Sequence, residues 1–122
     1  LRNIWNIKGD LIMELIKTDF LNSKNVPLKM VVSYEKDKLN VNGDKTKNQL
    51  YVTFYLRREE DNQKDYMLGR YYLSTLLEGK NKGLCLEGSN PHKYFVDDED
   101  MRLFRAEYRI IKKVVNKLKE NK

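Results

Sequence analysis

The chain is poor in the residues on which most recognisable chemistry depends. Its 122 residues include one cysteine and one histidine. A single thiol, Cys85, excludes an intrachain disulfide, and one thiol with one imidazole cannot build a zinc set of Cys and His. Cys85 stands between Leu84 and Leu86, the setting of a small buried hydrophobe and not of a nucleophile. The lack of disulfides fits a reducing cytosol, so a cytoplasmic location is expected. His92 follows Asn90-Pro91 and reads as a surface loop residue, in preference to a partner for Cys85. No serine sits in a nucleophile elbow, and Gly79, Gly83 and Gly88 are spaced like hairpin turns, not like a phosphate-cradling loop.

Long apolar runs are missing too, and none reaches transmembrane length, so no membrane association is expected. The first residues, Leu1-Arg2-Asn3-Ile4-Trp5-Asn6-Ile7-Lys8, carry charge too early for a signal peptide. The chain begins with Leu1 and not Met, and the numbering is read as starting inside a longer product. Two prolines, six glycines and no repeat leave no stretch that resembles a linker. One domain over 1–122 is the expectation from length.

What is present is charge and tyrosine. Charged residues make up 34% and hydrophobic residues 40%, and eight Tyr, four Phe and one Trp argue against disorder. The net charge is +6, and its placement is more informative than its size. Residues 102–122 hold eight basic residues (Arg102, Arg105, Arg109, Lys112, Lys113, Lys117, Lys119, Lys122) against Glu107 and Glu120. The rest of the chain balances 16 basic residues with 16 acidic ones, so one element carries the whole imbalance. That element is a candidate surface for an anionic partner.

Periodicity sets the expected architecture. Asp10 followed by Leu11, Ile12, Leu15, Ile16 and Phe20 predicts an N-terminal helix. Ile4, Trp5 and Ile7 precede it as an extended arm or an earlier turn. Asn22 to Pro27 reads as a loop, and Leu28, Met30, Val32 and Tyr34 alternate as a strand. Asn42-Gly43-Asp44 marks a turn. Residues 49–58 alternate strictly, with Leu50, Val52, Phe54 and Leu56 on one face and Tyr51, Thr53, Tyr55 and Arg57 on the other. A polar connection over Glu59 to Lys64 leads to a return strand over 65–73, whose second face offers Tyr66, Arg70 and Tyr72. Residues 74–79 read as strand, with a short helix over 74–78 as the alternative, and turn at 80–83 into 84–88. Tyr94-Phe95-Val96 suggests a last short strand. The final helix, capped by Asp97 or Asp98, has apolar positions Met101, Phe104, Tyr108, Ile111, Val115 and Leu118, with Leu103, Ile110 and Val114 beside that seam. The expected class is α+β: an N-terminal helix, an antiparallel sheet of three to five strands, and a long C-terminal basic amphipathic helix packed on the sheet.

Three constellations could carry function. The first is the sheet face bearing Tyr51, Tyr55, Arg57, Tyr66, Arg70 and Tyr72. Bases stack on aromatic rings while cations meet phosphates, which is the chemistry of single-stranded nucleic-acid binding. The plainer readings are a helix covering this face, or cross-strand pairs stabilising a solvated one. The second is the cationic flank of the last helix: Arg102, Arg105, Arg109, Lys112 and Lys113. The plainer reading is a core-packing helix with a solvated charged side. The third is the acidic run Asp97-Asp98-Glu99-Asp100 with Glu107. With Glu35-Lys36-Asp37-Lys38 it loosely resembles a metal-dependent nuclease pattern, but helix capping accounts for it better. No metal or other cofactor is therefore expected, and an enzyme ranks below a binding protein. The expectation is a small protein that binds single-stranded DNA or RNA. The alternative is a protein-interaction module, such as an inhibitor or accessory factor of a phage or mobile element, that takes an acidic protein partner. A homodimer is compatible with either.

Overall fold

A computed structural model describes residues 3–7, 10–36, 48–58, 64–79, 82–88 and 93–120. The turns expected at Asn42–Asp44 and through 59–63, and the loop histidine His92, lie outside the described residues. The elements in chain order are β1 (Asn3–Ile7), β2 (Asp10–Leu21), β3 (Pro27–Lys36), β4 (Asn48–Leu56), β5 (Tyr66–Tyr72), α1 (Leu73–Leu77), β6 (Leu84–Cys85), a 3-10 turn (Leu86–Gly88), β7 (Phe95–Val96) and α2 (Asp98–Glu120). Strands β1 to β5 form one antiparallel sheet in sequence order, and β6 pairs with β7 in a small ribbon. The α+β class and the C-terminal helix agree with the sequence reading.

The N-terminal helix does not form. Residues 10–21 are strand β2, paired with β3 from Ile12 to Leu21. The register slips between Glu14 and Ile16, so Leu15 is an extra residue opposite no partner. A bulge of this kind interrupts the two-residue period. Leu15 and Ile16, adjacent in sequence, both pack against the core, and Phe20 does so four residues later. Apolar residues at 15, 16 and 20 imitate a helix repeat, and pairing with β3 overrides the imitation.

The core lies between one sheet face and the helices. Leu28, Met30 and Val32 of β3 and Val52 and Phe54 of β4 are fully buried there, against Leu73 and Leu76 of α1, Leu86, Val96, and Met101, Phe104 and Tyr108 of α2. Full burial of each such side chain contributes roughly 1.5–3 kcal/mol, more than a surface ion pair. Phe104 meets Phe20 edge-on with centroids 5.2 Å apart, and the Tyr108 hydroxyl lies 2.9 Å from the Met30 sulfur. Burial pushes the Tyr108 phenol well above its ordinary range.

Residues 73–77 are helical, the alternative to the expected strand. Leu73, Leu76 and Leu77 fall three and four apart and all face the core. Strand β6 is confined to Leu84–Cys85 and pairs with β7. Asn22, 3% exposed, ties the β2–β3 turn to this ribbon. Its side-chain amide donates to the carbonyls of Lys93 and Phe95, and its oxygen accepts from the backbone N–H groups of Lys24 and Val26. Asn25 supplies the positive φ of 61° that the turn requires, a conformation Asn tolerates. The two aspartates expected to cap α2 act between segments: Asp97 accepts from the Ser23 N–H and Asp98 from the Gly83 N–H.

Candidate nucleic-acid interface

Register decides which candidate residues share a face. Leu50, Val52, Phe54 and Leu56 pair with Tyr34, Val32, Met30 and Leu28, and this side faces α2. Tyr51, Thr53 and Tyr55 therefore point to the opposite side, with Ser33, Val31 and Lys29 beside them. On β5, Tyr72 pairs with Tyr51 and Arg70 with Thr53, so both join that second face. Every described helix packs on the first face.

Tyr66 departs from expectation. The β4–β5 register slips between Phe54 and Tyr55, and Tyr66 pairs with Leu56 on the core side of the sheet. It sits there at the margin, 44% exposed, with the Arg58 guanidinium over its ring at 5.0 Å. A hydrogen bond to Glu87 raises its phenol above the ordinary range. It contributes nothing to the second face.

That second face is more closed than a stacking platform. Tyr51 is 4% exposed. The Arg70 guanidinium lies 4.0 Å from its ring centroid, and Tyr72 stacks on it at 5.1 Å. Arg70 also forms an ion pair with Glu35, a buried carboxylate that accepts from the Ser33 hydroxyl. Lys29 lies over the Tyr55 ring at 5.0 Å and donates to Asp65 at 2.6 Å. Arg57 donates to the Leu28 carbonyl and approaches Asp19 at 3.8 Å. The cations and rings expected to meet a ligand are engaged with one another. Tyr55 and Tyr72 are half-buried and keep more surface than Tyr51.

The helix supplies a different surface. Arg102, Arg109, Lys112 and Lys113 are exposed along one side of α2, with Lys117 extending the row. Arg102 pairs with Glu99 one turn earlier, which raises the Arg102 pKa and holds the Glu99 carboxyl below its ordinary value. Arg105 is not part of this side. It is 6% exposed, and its Nε donates to the Leu76 carbonyl at 2.9 Å while its Nη1 donates to the Lys82 carbonyl at 3.1 Å. A Cβ on Gly79 would collide with its Nη2. Arg105 is thus a brace between α2 and the α1–β6 connection, and glycine at 79 makes room for it.

The structure therefore separates the two halves of the expected site. Tyr51, Tyr55, Arg57, Arg70 and Tyr72 lie on one side of the sheet, and α2 covers the other. No continuous strand of ligand touches both sets without passing around the sheet.

An open cleft near the start of α2 is lined by Lys24, Lys82, Leu84, Cys85, Phe95 and the Asp97–Glu99 run. Asp97 and Asp98 are committed to backbone N–H groups there. Among the described residues, no cluster of three His, Cys, Asp or Glu side chains is placed to hold a metal ion. Among them, too, no helix is long and apolar enough to cross a membrane. No family model, curated protein or solved structure matches the chain.

Proposed function

We propose that this protein binds single-stranded DNA or RNA, and that it does so along the exposed cationic side of α2. The observation that carries this reading is the segregation of charge. The segment 102–122 holds the entire +6 of the chain, and Arg102, Arg109, Lys112 and Lys113 present it to solvent. Cations in a row neutralise phosphates and release condensed counterions, so affinity is strongly salt-dependent. The partly open rings of Tyr55 and Tyr72 are on the wrong side of the sheet to assist the same strand, so sequence preference is expected to be weak.

The test is a fluorescence-anisotropy titration of labelled single-stranded oligonucleotides at several salt concentrations. A steep loss of affinity with salt is expected. Replacing Arg109 and Lys113 together by Ala should weaken binding at low salt and reduce the log–log salt slope by about 1–2, because two phosphate contacts are removed. An absence of binding at low salt would end the proposal.

A second reading, a protein-interaction module, draws on the sheet face. Tyr51, Arg70 and Tyr72 form a preassembled aromatic–arginine cluster, a residue chemistry common at protein hot spots. One stoichiometric partner, retained after nuclease treatment and lost on Tyr72→Ala, would favour that reading.

A further inference from the structure

The apolar surface of α2 is wider than the core needs. Met101, Phe104, Tyr108 and Val115 are buried, whereas Leu103, Ile110, Val114 and Leu118 remain 48%, 64%, 47% and 50% exposed. At 3.6 residues per turn these four fall on one stripe, turned about 100° from the buried seam. From Leu103 to Leu118 the stripe rises about 22 Å at 1.5 Å per residue. Four half-exposed aliphatic side chains in a line are unusual for the surface of a monomer.

The charges beside the stripe say what covers it. At its N-terminal end stand Glu99 and Asp100, followed by Glu107 between Leu103 and Ile110. At its C-terminal end stand Lys113 and Lys117, both exposed. The border of the stripe is thus acidic at one end and basic at the other. A foreign acidic helix would meet the carboxylates of the first half, and so would an anionic lipid surface. A second copy carries its own complement. Laid antiparallel about Ile110, two copies of α2 set Glu107 of each beside Lys113 of the other and turn the first-turn carboxylates toward Lys117. A parallel pair would instead oppose lysine to lysine, which is destabilising.

We infer that the Leu103–Ile110–Val114–Leu118 stripe is the interface of an antiparallel homodimer of this chain. The pairing is isologous, each stripe meeting its own copy across a twofold axis. Arg102, Arg109 and Lys112 lie on the side of α2 away from the stripe and stay exposed in the dimer. The inference goes beyond the proposed function and does not rest on it: Lys113 and Lys117 border both surfaces, but the apolar stripe and the Arg102, Arg109 and Lys112 flank are separate faces of the helix.

The test is sedimentation equilibrium of the whole chain without nucleic acid, from about 5 to about 500 µM, the range in which an interface of modest area shows its mass action. A concentration-dependent monomer–dimer equilibrium is expected. Ile110→Glu, at the most exposed position of the stripe, should give a monomer throughout with an unchanged circular-dichroism spectrum and Tm. Glu107→Lys should weaken dimerisation at least tenfold, and so should Lys113→Glu. The double charge exchange should restore most of the loss. A parent chain that is monomeric at the highest concentration overturns the inference, as does a dimer indifferent to Ile110→Glu. A charge exchange that fails to restore pairing overturns the antiparallel arrangement. A monomer that instead takes an acidic helical peptide or anionic vesicles onto the stripe overturns the choice of occupant.

Discussion

Arg105 satisfies two backbone carbonyls from the middle of a helix. Its Nε and Nη1 reach Leu76 and Lys82, and Gly79 leaves the space it fills. Arg105→Ala would leave the Leu76 carbonyl with only the long Gly79 N–H bond at 3.4 Å and take the Lys82 carbonyl's side-chain donor away, with an expected cost of about 1–3 kcal/mol in urea unfolding. Arg109→Ala, on the exposed side of the same helix, should stay within about 0.5 kcal/mol. Composition alone gives both arginines the same role, because helical spacing cannot say which of two flanks meets a loop. Asp65 gives a residue-level prediction in pH. The hydrogen bond from Lys29 holds its carboxyl below the ordinary Asp value of 3.8, against a smaller opposing effect of burial. Its proton is held more weakly in the folded state than in the unfolded one. The pair therefore stabilises the fold above the ordinary Asp pKa, and that contribution is lost as pH falls through the lowered value. Thermal melts of Asp65→Asn should show a shallower acid-side decline than the parent, and convergence with it at low pH.

Two bulges shape the strands, and both defeat simple periodicity. In β2 the extra residue Leu15 brings two adjacent apolar side chains to the core and mimics a helix. In β5 the slip at Leu68 carries Tyr66 to the core side while Arg70 and Tyr72 stay on the other. Leu68 itself is 5% exposed and belongs to the core, whereas its neighbour Met67 is 52% exposed. Leu68→Ala should cost about 2–5 kcal/mol, and Met67→Ala less than about 0.5 kcal/mol, by denaturant midpoint. By contrast β4 and α2 were legible as elements, since each has an uninterrupted period and is long enough to show it, although Arg105 and Leu118 of α2 were assigned to the wrong environment. The short helix over 73–77 was legible only as an alternative, because five residues fit either period. The bracing role of Asn22 carried no signal in the sequence: two of its four side-chain hydrogen bonds go to the Lys93 and Phe95 carbonyls, more than seventy positions away.

At the scale of the molecule the sheet is a partition. On one side a packed core carries α2, with its cations outward and its apolar stripe exposed. On the other a tyrosine and arginine layer is closed by its own contacts. The charge asymmetry was readable from residue counts, but the separation of the two candidate surfaces was not, since it follows from which face α2 covers. Under the proposed function, the nucleic acid runs along the helix side. Lysine acylation read by mass spectrometry, with and without a single-stranded oligonucleotide at low salt, tests that assignment most directly. Protection of Lys112, Lys113 and Lys117 is predicted, with Lys17 and Lys29 on the opposite side modified equally in both samples. Protection of Lys17 and Lys29 with none at Lys112, Lys113 and Lys117 would contradict it.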